Sequence, residues 1–371
     1  MEGRIKARAA VMRSLGAPWT IEDVEISAPR EDEVLIRLVG TGICHTDIAC
    51  RDGFPVPMPI VLGHEGAGVV ESVGSGVTRV KPGDHVVLSF DSCGECRNCH
   101  DHQPAYCYDF YPRNVAGTRK SDGSATVTTA GGEPLNAVFF CQSSFSTYAL
   151  AREVNTVPVD KSLPLEILGP LGCGIQTGAG AAVNALGIRS GESLAVFGGG
   201  AVGLSAMLGA KAVGAAMVII VEPNAGRRQL ALELGATYVI NPKETADVLA
   251  TIKELSGGGV NYALDTTGIP DVIAVAAETM LPRGELALLG VPPAEATVPA
   301  NMMSMLVRGV GVKYVVEGDS DPQEFIPRMV GWYRDGKFPF DKLIRKFPFE
   351  QINEAVHSSE SGEVIKPVLI F

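Results

Sequence analysis

Four cysteines stand close together in a segment that also contains glycine, asparagine and proline. Cys93, Cys96 and Cys99 are separated by two residues each, and Cys107 follows after seven more. Tetrahedral zinc takes four thiolates, and two-residue gaps let successive ligands fold around one ion. Four protein ligands leave no open position, so the spacing predicts a structural zinc site. The alternatives are an iron–sulfur cluster, since four thiolates also suit iron, and unconnected cysteines or a local disulfide.

Three further side chains of metal-ligand type lie far apart in the sequence. They are Cys44 in GTGICHTDIAC, His64 in LGHEGAG and Cys173 in GPLGCGIQTGAG. Two thiolates and one imidazole would leave the fourth tetrahedral corner open for substrate or water, as in a catalytic zinc site. Spacing alone does not separate this hypothesis from inert core cysteines and a hydrogen-bonded histidine.

A glycine motif, Gly198-x-Gly200-x-x-Gly203, follows the apolar segment LAVF and precedes a helical pattern. The first glycine permits a tight turn, the second lets the backbone approach a pyrophosphate, and the third lets helix and strand pack closely. The anion would then lie at a helix N-terminus, where free amides and the helix dipole favour it. The motif in this context predicts a dinucleotide site.

Cofactor preference depends on the residues that follow the next apolar strand. Glu222 ends VIIVE, where its carboxylate can accept hydrogen bonds from both adenosine ribose hydroxyls and would repel a 2′-phosphate. The sequence therefore predicts NAD rather than NADP. Arg227 is a candidate cofactor contact, but we favour placing it with Arg228 on the solvated face of the helix AGRRQLALELGA.

Two sequence patterns must position these residues. The first third contains β-branched runs closed by turn residues, such as DEVLIRLVGTG and PGDHVVLSF, which predict short antiparallel strands in a barrel-like domain. From about Leu163, apolar strands alternate with Ala/Leu-rich helices, the pattern of a doubly wound parallel sheet. We expect an α/β protein with a discontinuous catalytic domain, residues 1–175 and 314–371, around an inserted cofactor domain, residues 176–313.

Composition narrows the classes of partner. The 371 residues carry a net charge of −11, which argues against nucleic acid because phosphate binding needs concentrated lysine and arginine. The basic N-terminal segment lacks an apolar core, and the apolar stretch 194–210 is interrupted by glycines, so we expect neither a secretory signal nor a membrane span. Eight cysteines in such a chain suit metal ligation in the cytoplasm better than disulfides.

The sequence resembles the zinc-containing medium-chain alcohol dehydrogenases over essentially its whole length. The resemblance is carried by the cysteine quartet and by GICHTD (42–47), GHEGAG (63–68), QSSFSTYA (142–149), PLGCGIQTGAGA (170–181), GGGAVG (198–203) and GVPP (290–293). It implies a GroES-like, β-rich catalytic domain, a Rossmann NAD-binding domain and two zinc ions per subunit. It also implies a homo-oligomer, dimer or tetramer, that associates through the cofactor domain.

The resemblance assigns roles around the catalytic metal. Cys44, His64 and Cys173 would bind it and the quartet would bind the structural zinc, while Glu65 would lie near the catalytic ion and Asp47 would orient the ligand histidine. Zinc would lower the pKa of a bound alcohol, whose carbon would pass a hydride to the nicotinamide. Thr46 would take the alcohol proton. Many relatives pass that proton to a histidine where this chain has Ala49, so that step must differ here. These assignments make up the following set of catalytic and metal residues: Thr46, Cys44, His64, Cys173, Glu65, Cys93, Cys96, Cys99 and Cys107.

The resemblance also assigns cofactor and substrate contacts. His45 and Lys366 would approach the pyrophosphate, and Thr177, Leu289 and Val291 would flank the nicotinamide. The chain looks most like the aryl- and allylic-alcohol dehydrogenases of benzyl alcohol and geraniol type, whose pocket would be lined by aromatic side chains matching Phe54, Phe90 and Phe140. The alternatives are an aliphatic alcohol dehydrogenase, a glutathione-dependent formaldehyde dehydrogenase and a noncatalytic dinucleotide-binding protein.

Overall fold

A computed structural model describes residues 4–293, 295–298 and 301–371, so the first three residues of the basic N-terminal segment lie outside the described residues. The strands are β1 Ile5–Met12, β2 Thr20–Ile26, β3 Glu33–Gly42, β4 Ile60–Val61, β5 Gly66–Val73, β6 His85–Leu88, β7 Val127–Thr129, β8 Pro134–Leu135, β9 Tyr148–Arg152, β10 Thr156–Val159, β11 Ser193–Phe197, β12 Met217–Val221, β13 Tyr238–Ile240, β14 Val260–Asp265, β15 Met280–Leu288, β16 Gly311–Tyr314, β17 Ile344–Pro348 and β18 Lys366–Ile370. The helices are α1 His45–Asp52, α2 Arg97–His100, α3 Phe110–Asn114, α4 Gly174–Gly180, α5 Ala201–Ala212, α6 Ala225–Glu233, α7 Val248–Ser256, α8 Pro270–Glu278, α9 Met302–Arg308, α10 Pro322–Arg334 and α11 Ile352–Glu360. Within the described ranges, none of these helices is both long and apolar enough to cross a membrane.

The chain divides into two compact units. The first comprises Met1–Cys173, Asp321–Pro327 and Leu343–Phe371, and the second comprises Gly174–Ser320 and Arg328–Lys342. This division differs from the predicted domain boundaries by placing residues 174–175, 314–320 and 328–342 with the parallel sheet. In that unit, Tyr333 packs edge-on against Phe340, with ring centroids 4.9 Å apart. The predicted boundaries themselves stay a prediction.

Two sheets, antiparallel except for the β17–β18 pair, build the first unit. One has the order β4-β1-β2-β7-β8, and the other has the order β10-β6-β5-β3-β18-β17, with β9 also pairing with β3. The central strand β3 is buried on both faces, since Val34 and Ile36 belong to one hydrophobic cluster and Leu35 to another. The prediction of short antiparallel strands in the first third is confirmed. β3 ends at Gly42, which pairs with Val368 of β18. The end of this strand therefore fixes the position of the candidate metal ligand that follows it.

One parallel sheet forms the centre of the second unit. Its strand order is β13-β12-β11-β14-β15-β16, all pairs being parallel. This is the doubly wound order, in which ligands bind beyond the carboxyl ends of the strands where the order reverses. β11 and β14 flank that point. The glycine motif follows β11 directly, so the sheet places it at the end where ligands bind in doubly wound folds.

Candidate active site and metal centres

Three segments of the first unit carry the ligands predicted for a catalytic metal. Cys44 is the N-terminal cap of α1 just after β3, His64 lies between β4 and β5, and Cys173 precedes α4. The fold brings them together, because one ligand atom from each residue lies within 4.8 Å of the other two. Two sulfurs and one nitrogen at this separation are a donor set that suits zinc.

The environment of His64 supports metal binding. Asp47 is completely buried, and its Oδ1 lies 3.0 Å from His64 Nδ1 and accepts a hydrogen bond from the Gly63 N–H, also at 3.0 Å. A carboxylate accepts, so Nδ1 donates to Asp47 and Nε2 is the nitrogen left for a metal ion. That Nε2 is buried and has no hydrogen-bond partner among the described residues. An orphaned buried polar atom costs about 1–3 kcal/mol, and a metal ion would remove this penalty.

The same residues shift one another's protonation. The pKa of the Cys44 thiol is lowered well below its usual range by the hydrogen bond from Cys173 and by the charge of His64, against the opposing effect of burial. For His64, burial acts most strongly and lowers the pKa. The charges of Asp47 and Cys44 together outweigh it, so the pKa is raised well above the usual value. The cluster thus stabilises a thiolate at Cys44, the form that binds metal.

Glu65 and Lys366 form a buried ion pair beside this cluster. Lys366 Nζ donates to both carboxylate oxygens of Glu65, at 2.8 and 3.0 Å, and to the carbonyl oxygen of Ile43 at 3.1 Å. Burial raises the pKa of Glu65, and the Lys366 charge opposes that rise. Glu65 was expected near the catalytic metal, and Lys366 was expected to approach the pyrophosphate. In this structure, instead, the Lys366 ammonium is held by Glu65, and Glu65 lies outside the group of ligand atoms that includes Cys44.

The first turn of α1 carries Thr46, predicted to take the alcohol proton, and His45, predicted to approach the pyrophosphate. Thr46 is half-buried, and its hydroxyl oxygen lies 3.7 Å from Cys44 Sγ. His45 is exposed at the first position of the helix. Ala49 lies one helical turn after His45, on the same face, and its methyl group cannot carry a proton.

The three phenylalanines predicted for the substrate pocket lie in different environments. Phe140 is buried and stacks on His64, with ring centroids 4.6 Å apart, and its φ of 48° is left-handed. Phe90 is buried against Phe110, with ring centroids 5.7 Å apart, whereas Phe54 is exposed. A charged cavity of about 370 Å³ elsewhere in this unit is lined by none of the three.

Two residues near the ligand histidine were not identified from the sequence. Phe139 packs edge-on against His64, with ring centroids 5.4 Å apart. Gln142 is buried, and its Nε2 donates to the carbonyl oxygens of His64 and Ser89 while its Oε1 accepts from the Gly66 N–H, each at 3.0 Å. Gln142 begins the QSSFSTYA segment that carries the resemblance, but a local pattern does not reveal partners distant along the chain.

The four cysteines of the quartet converge in the loop that holds α2. Cys99 Sγ lies 3.8 Å from Cys93 Sγ and 3.5 Å from Cys96 Sγ. A tetrahedron with zinc–sulfur bonds of about 2.3 Å has edges of about 3.8 Å, while a disulfide would need about 2.05 Å. Backbone N–H groups, chiefly that of Tyr108, lower the pKa of Cys96 to about 6. All four thiols are free, so the geometry fits a four-coordinate ion and not a disulfide.

The glycine motif forms a tight turn between β11 and α5. Gly198 has a φ of 105°, and Gly200 caps the helix with an extended backbone. A Cβ on Gly203 would overlap the carbonyl oxygen of Gly198, which explains the need for glycine there. At Gly200 a Cβ would meet no atom within 4 Å, so this backbone borders open space that a pyrophosphate could fill.

Glu222 is buried beside this turn. Its carboxylate accepts hydrogen bonds from the N–H groups of Gly199 and Asn224, both at 2.7 Å. Arg227 and Arg228 were favoured as solvated residues, and the structure differs: both are half-buried, and Arg228 donates to the carbonyl oxygen of Glu222 at 2.9 Å. Arg228 Nη1 also donates to the carbonyl oxygen of Pro223 at 2.7 Å, so the segment after β12 holds this guanidinium group.

The predicted nicotinamide contacts lie in the second unit. Val291 is exposed and Leu289 is half-buried. Thr177 Oγ1 donates to Glu317 Oε2 at 3.4 Å, and Gln176 Nε2 donates to the same oxygen at 3.2 Å. Glu317 is buried and has a left-handed φ of 49°. Sequence analysis missed Glu317, which lies 140 residues after Thr177.

Comparison with known proteins identifies related chains. Residues 30–161 match the alcohol dehydrogenase GroES-like domain family, and residues 201–332 match the zinc-binding dehydrogenase family. The chain is 57% identical over 367 residues to a geraniol dehydrogenase of Castellaniella defragrans, covering 99% of this chain and 98% of the relative.

Solved structures agree with these matches. An alcohol dehydrogenase zinc-binding domain protein from Burkholderia ambifaria is 50% identical with a TM-score of 0.97. Benzyl alcohol dehydrogenase from Acinetobacter calcoaceticus is 45% identical with a TM-score of 0.96, and each comparison covers 99% of both chains. With the fold, the two cysteine-containing clusters and these relatives in agreement, this chain belongs to the zinc-dependent medium-chain alcohol dehydrogenase family.

Proposed function

We propose that this alcohol dehydrogenase interconverts primary aromatic or allylic alcohols and their aldehydes, with NAD as cofactor and two zinc ions per chain. The observation that carries the proposal is the Cys44–His64–Cys173 cluster with its unpartnered His64 Nε2. A noncatalytic protein would have no need to keep this three-ligand set, which leaves one coordination position for substrate.

The chain's own residues prepare the reaction. Cys44, His64 and Cys173 would hold the catalytic zinc, which when bound supplies a Lewis acid for the alcohol oxygen. Asp47 keeps the His64 ring oriented, and the hydrogen-bonded Glu65–Lys366 pair keeps a charged lysine next to the thiolates. The Thr46 hydroxyl would take the alcohol proton and pass its own proton to water, since the methyl group of Ala49 cannot carry one.

The second metal and the cofactor complete the proposal. Cys93, Cys96, Cys99 and Cys107 would hold a structural zinc, whose binding free energy adds to folding. The turn that contains Gly198, Gly200 and Gly203 would bind the pyrophosphate of the dinucleotide. The nicotinamide of the same dinucleotide accepts the hydride. The buried Glu222 carboxylate favours NAD because a 2′-phosphate there would be repelled.

The aromatic or allylic substrate class rests on the relatives and on aromatic side chains near the metal site. The relatives described above include a geraniol dehydrogenase and a benzyl alcohol dehydrogenase. Phe140, stacked on His64, offers a flat apolar surface to a ring or a conjugated chain. We propose that Phe54 and Phe90 contribute to the same pocket.

A steady-state panel of alcohols tests the substrate class. Benzyl alcohol, geraniol, ethanol and hydroxymethylglutathione are compared, each with NAD and with NADP. We expect kcat/KM for benzyl alcohol or geraniol to exceed that for ethanol by about 100-fold or more, since burying the larger apolar group contributes several kcal/mol. A largest value for ethanol or hydroxymethylglutathione would show that the alternative dehydrogenase on this scaffold is correct.

Assembly and location are also proposals. Helix α9 exposes four apolar side chains, with exposed fractions between 67% and 84%. They are Met302, Met303, Leu306 and Val307. It precedes β16, the edge strand of the parallel sheet. Monomeric proteins rarely expose such a patch, and we propose that a second copy of the chain covers it. Eight free thiols, six of them in the two proposed zinc sites, suit a reducing compartment, the cytoplasm.

A further inference from the structure

A third group of metal-ligand side chains lies in the first unit and shares no residue with either cysteine cluster. His102 belongs to the loop between Cys99 and Cys107, Asp321 directly precedes α10, and Glu324 lies in the first turn of that helix. One ligand atom from each of His102, Asp321 and Glu324 lies within 4.8 Å of the other two. The group joins two elements that are more than 200 residues apart in the sequence, and it has no role in the proposed reaction.

The distances within this group fit metal coordination better than direct hydrogen bonding. His102 Nδ1 lies 3.5 Å from Asp321 Oδ2 and 3.3 Å from Glu324 Oε1. Charge-assisted N–H···O bonds are usually about 2.7–2.9 Å long. A tetrahedral ion with bonds of about 2.0–2.1 Å holds its ligands about 3.3–3.4 Å apart. The sulfur–sulfur distances in the quartet compare in the same way with the separations expected around one tetrahedral ion.

The backbone positions two of the three ligands, Asp321 and His102, independently of any ion. Asp321 Oδ1 accepts a hydrogen bond from the Gln323 N–H at 3.0 Å, which leaves Oδ2 directed to His102. His102 has a left-handed φ of 57°, and its N–H donates to the Cys99 carbonyl oxygen at 3.2 Å. Two carboxylates balance the charge of a divalent ion that lies near a helix N-terminus.

We propose that His102, Asp321 and Glu324 form a third, peripheral binding site for a zinc ion. One imidazole and two carboxylates suit zinc and not calcium, which takes six to eight oxygen ligands. His102 and Glu324 are each 69% exposed at the side chain, so water completes the coordination and the ion exchanges freely. A bound ion connects the quartet loop to the start of α10, and it stabilises the folded chain in proportion to its occupancy.

Metal uptake by the holoenzyme tests the site. Enzyme first dialysed against metal-free buffer keeps its tightly bound ions, and it is then equilibrated at about 10 µM free zinc, where an exposed three-ligand site is expected to fill. We expect the wild type to gain one further zinc per chain. His102→Asn, chosen because asparagine tolerates a left-handed backbone, and Glu324→Gln should each weaken this uptake at least about tenfold.

His100→Asn is the matched control, since His100 is exposed in the same loop and lies outside the group. It should take up zinc as the wild type does. Equal uptake by wild type and His102→Asn would overturn the proposal, as would a wild type that binds no further zinc. In either case the three side chains contact only one another and bind no ion. The result is a difference between variants, so it does not depend on the number of tightly bound ions that the proposed function requires.

Discussion

At the scale of single residues, Asp47 connects the backbone of the site to its metal ligand. Its two oxygens accept hydrogen bonds from the N–H groups of Cys44 and Gly63 and from His64 Nδ1. All of these partners donate hydrogen bonds. If asparagine replaced Asp47, its amide N–H group would point at one of these donors and the two would repel each other. The carboxylate is completely buried, so no water can compensate.

Asp47→Asn is therefore expected to weaken binding of the catalytic zinc by about 10–100-fold, the effect usual for partners of ligand histidines. Competition with a chromogenic chelator measures this directly. Asp52→Asn, at the exposed end of the same helix, is the control and should bind zinc normally. Similar zinc affinity in both variants would show that Asp47 does not position His64.

Sequence patterns predicted some residues well and others poorly, for a physical reason. The quartet is local, so its spacing alone indicated a metal site. The pairing of Lys366 with Glu65 joins residues 301 positions apart, and the contact of Thr177 with Glu317 joins residues 140 apart. Such contacts depend on how strands such as β18 and β3 are arranged, which local patterns do not encode.

At the scale of elements, the turn between β11 and α5 is the best-determined part of the cofactor site. Its strand, glycines and helix were all predicted, because each follows from local backbone needs. The two half-buried arginines of α6 were placed in solvent, because an amphipathic pattern does not show that carbonyl groups at the end of β12 lie within reach.

Gly203→Ala tests this turn. The added Cβ would overlap the Gly198 carbonyl oxygen, so the helix must shift away from the strand. We expect the dissociation constant for NAD, measured by fluorescence titration, to rise at least about tenfold, with a loss of about 1–3 kcal/mol in the free energy of unfolding.

Gly226→Ala in the exposed first turn of α6 is the matched control. Its Cβ would lie no closer than 3.4 Å to another atom, and alanine favours helix. NAD affinity should be unchanged and stability equal or higher. Unchanged NAD affinity in Gly203→Ala would contradict the assignment of this turn.

At the scale of the whole molecule, the exposed apolar face of α9 should be covered by a second copy. Val307→Asp places a charge in that face, where it would be desolvated on association. Multi-angle light scattering should show the wild type as a dimer or tetramer and the variant shifted toward monomer. Leu232→Asp, at an exposed apolar position of α6, should leave the assembly intact. A monomeric wild type would refute this part of the proposal.

The central claim is that Cys44, His64 and Cys173 hold a catalytic zinc, and Cys173→Ala tests it most directly. Zinc per chain after dialysis against metal-free buffer and kcat/KM for benzyl alcohol or geraniol are measured on the same samples. We predict two zinc ions in the wild type and one in the variant, with kcat/KM reduced at least about 1,000-fold, equivalent to about 4 kcal/mol, and NAD binding retained. A variant that keeps its activity, or that keeps both zinc ions, would contradict the account.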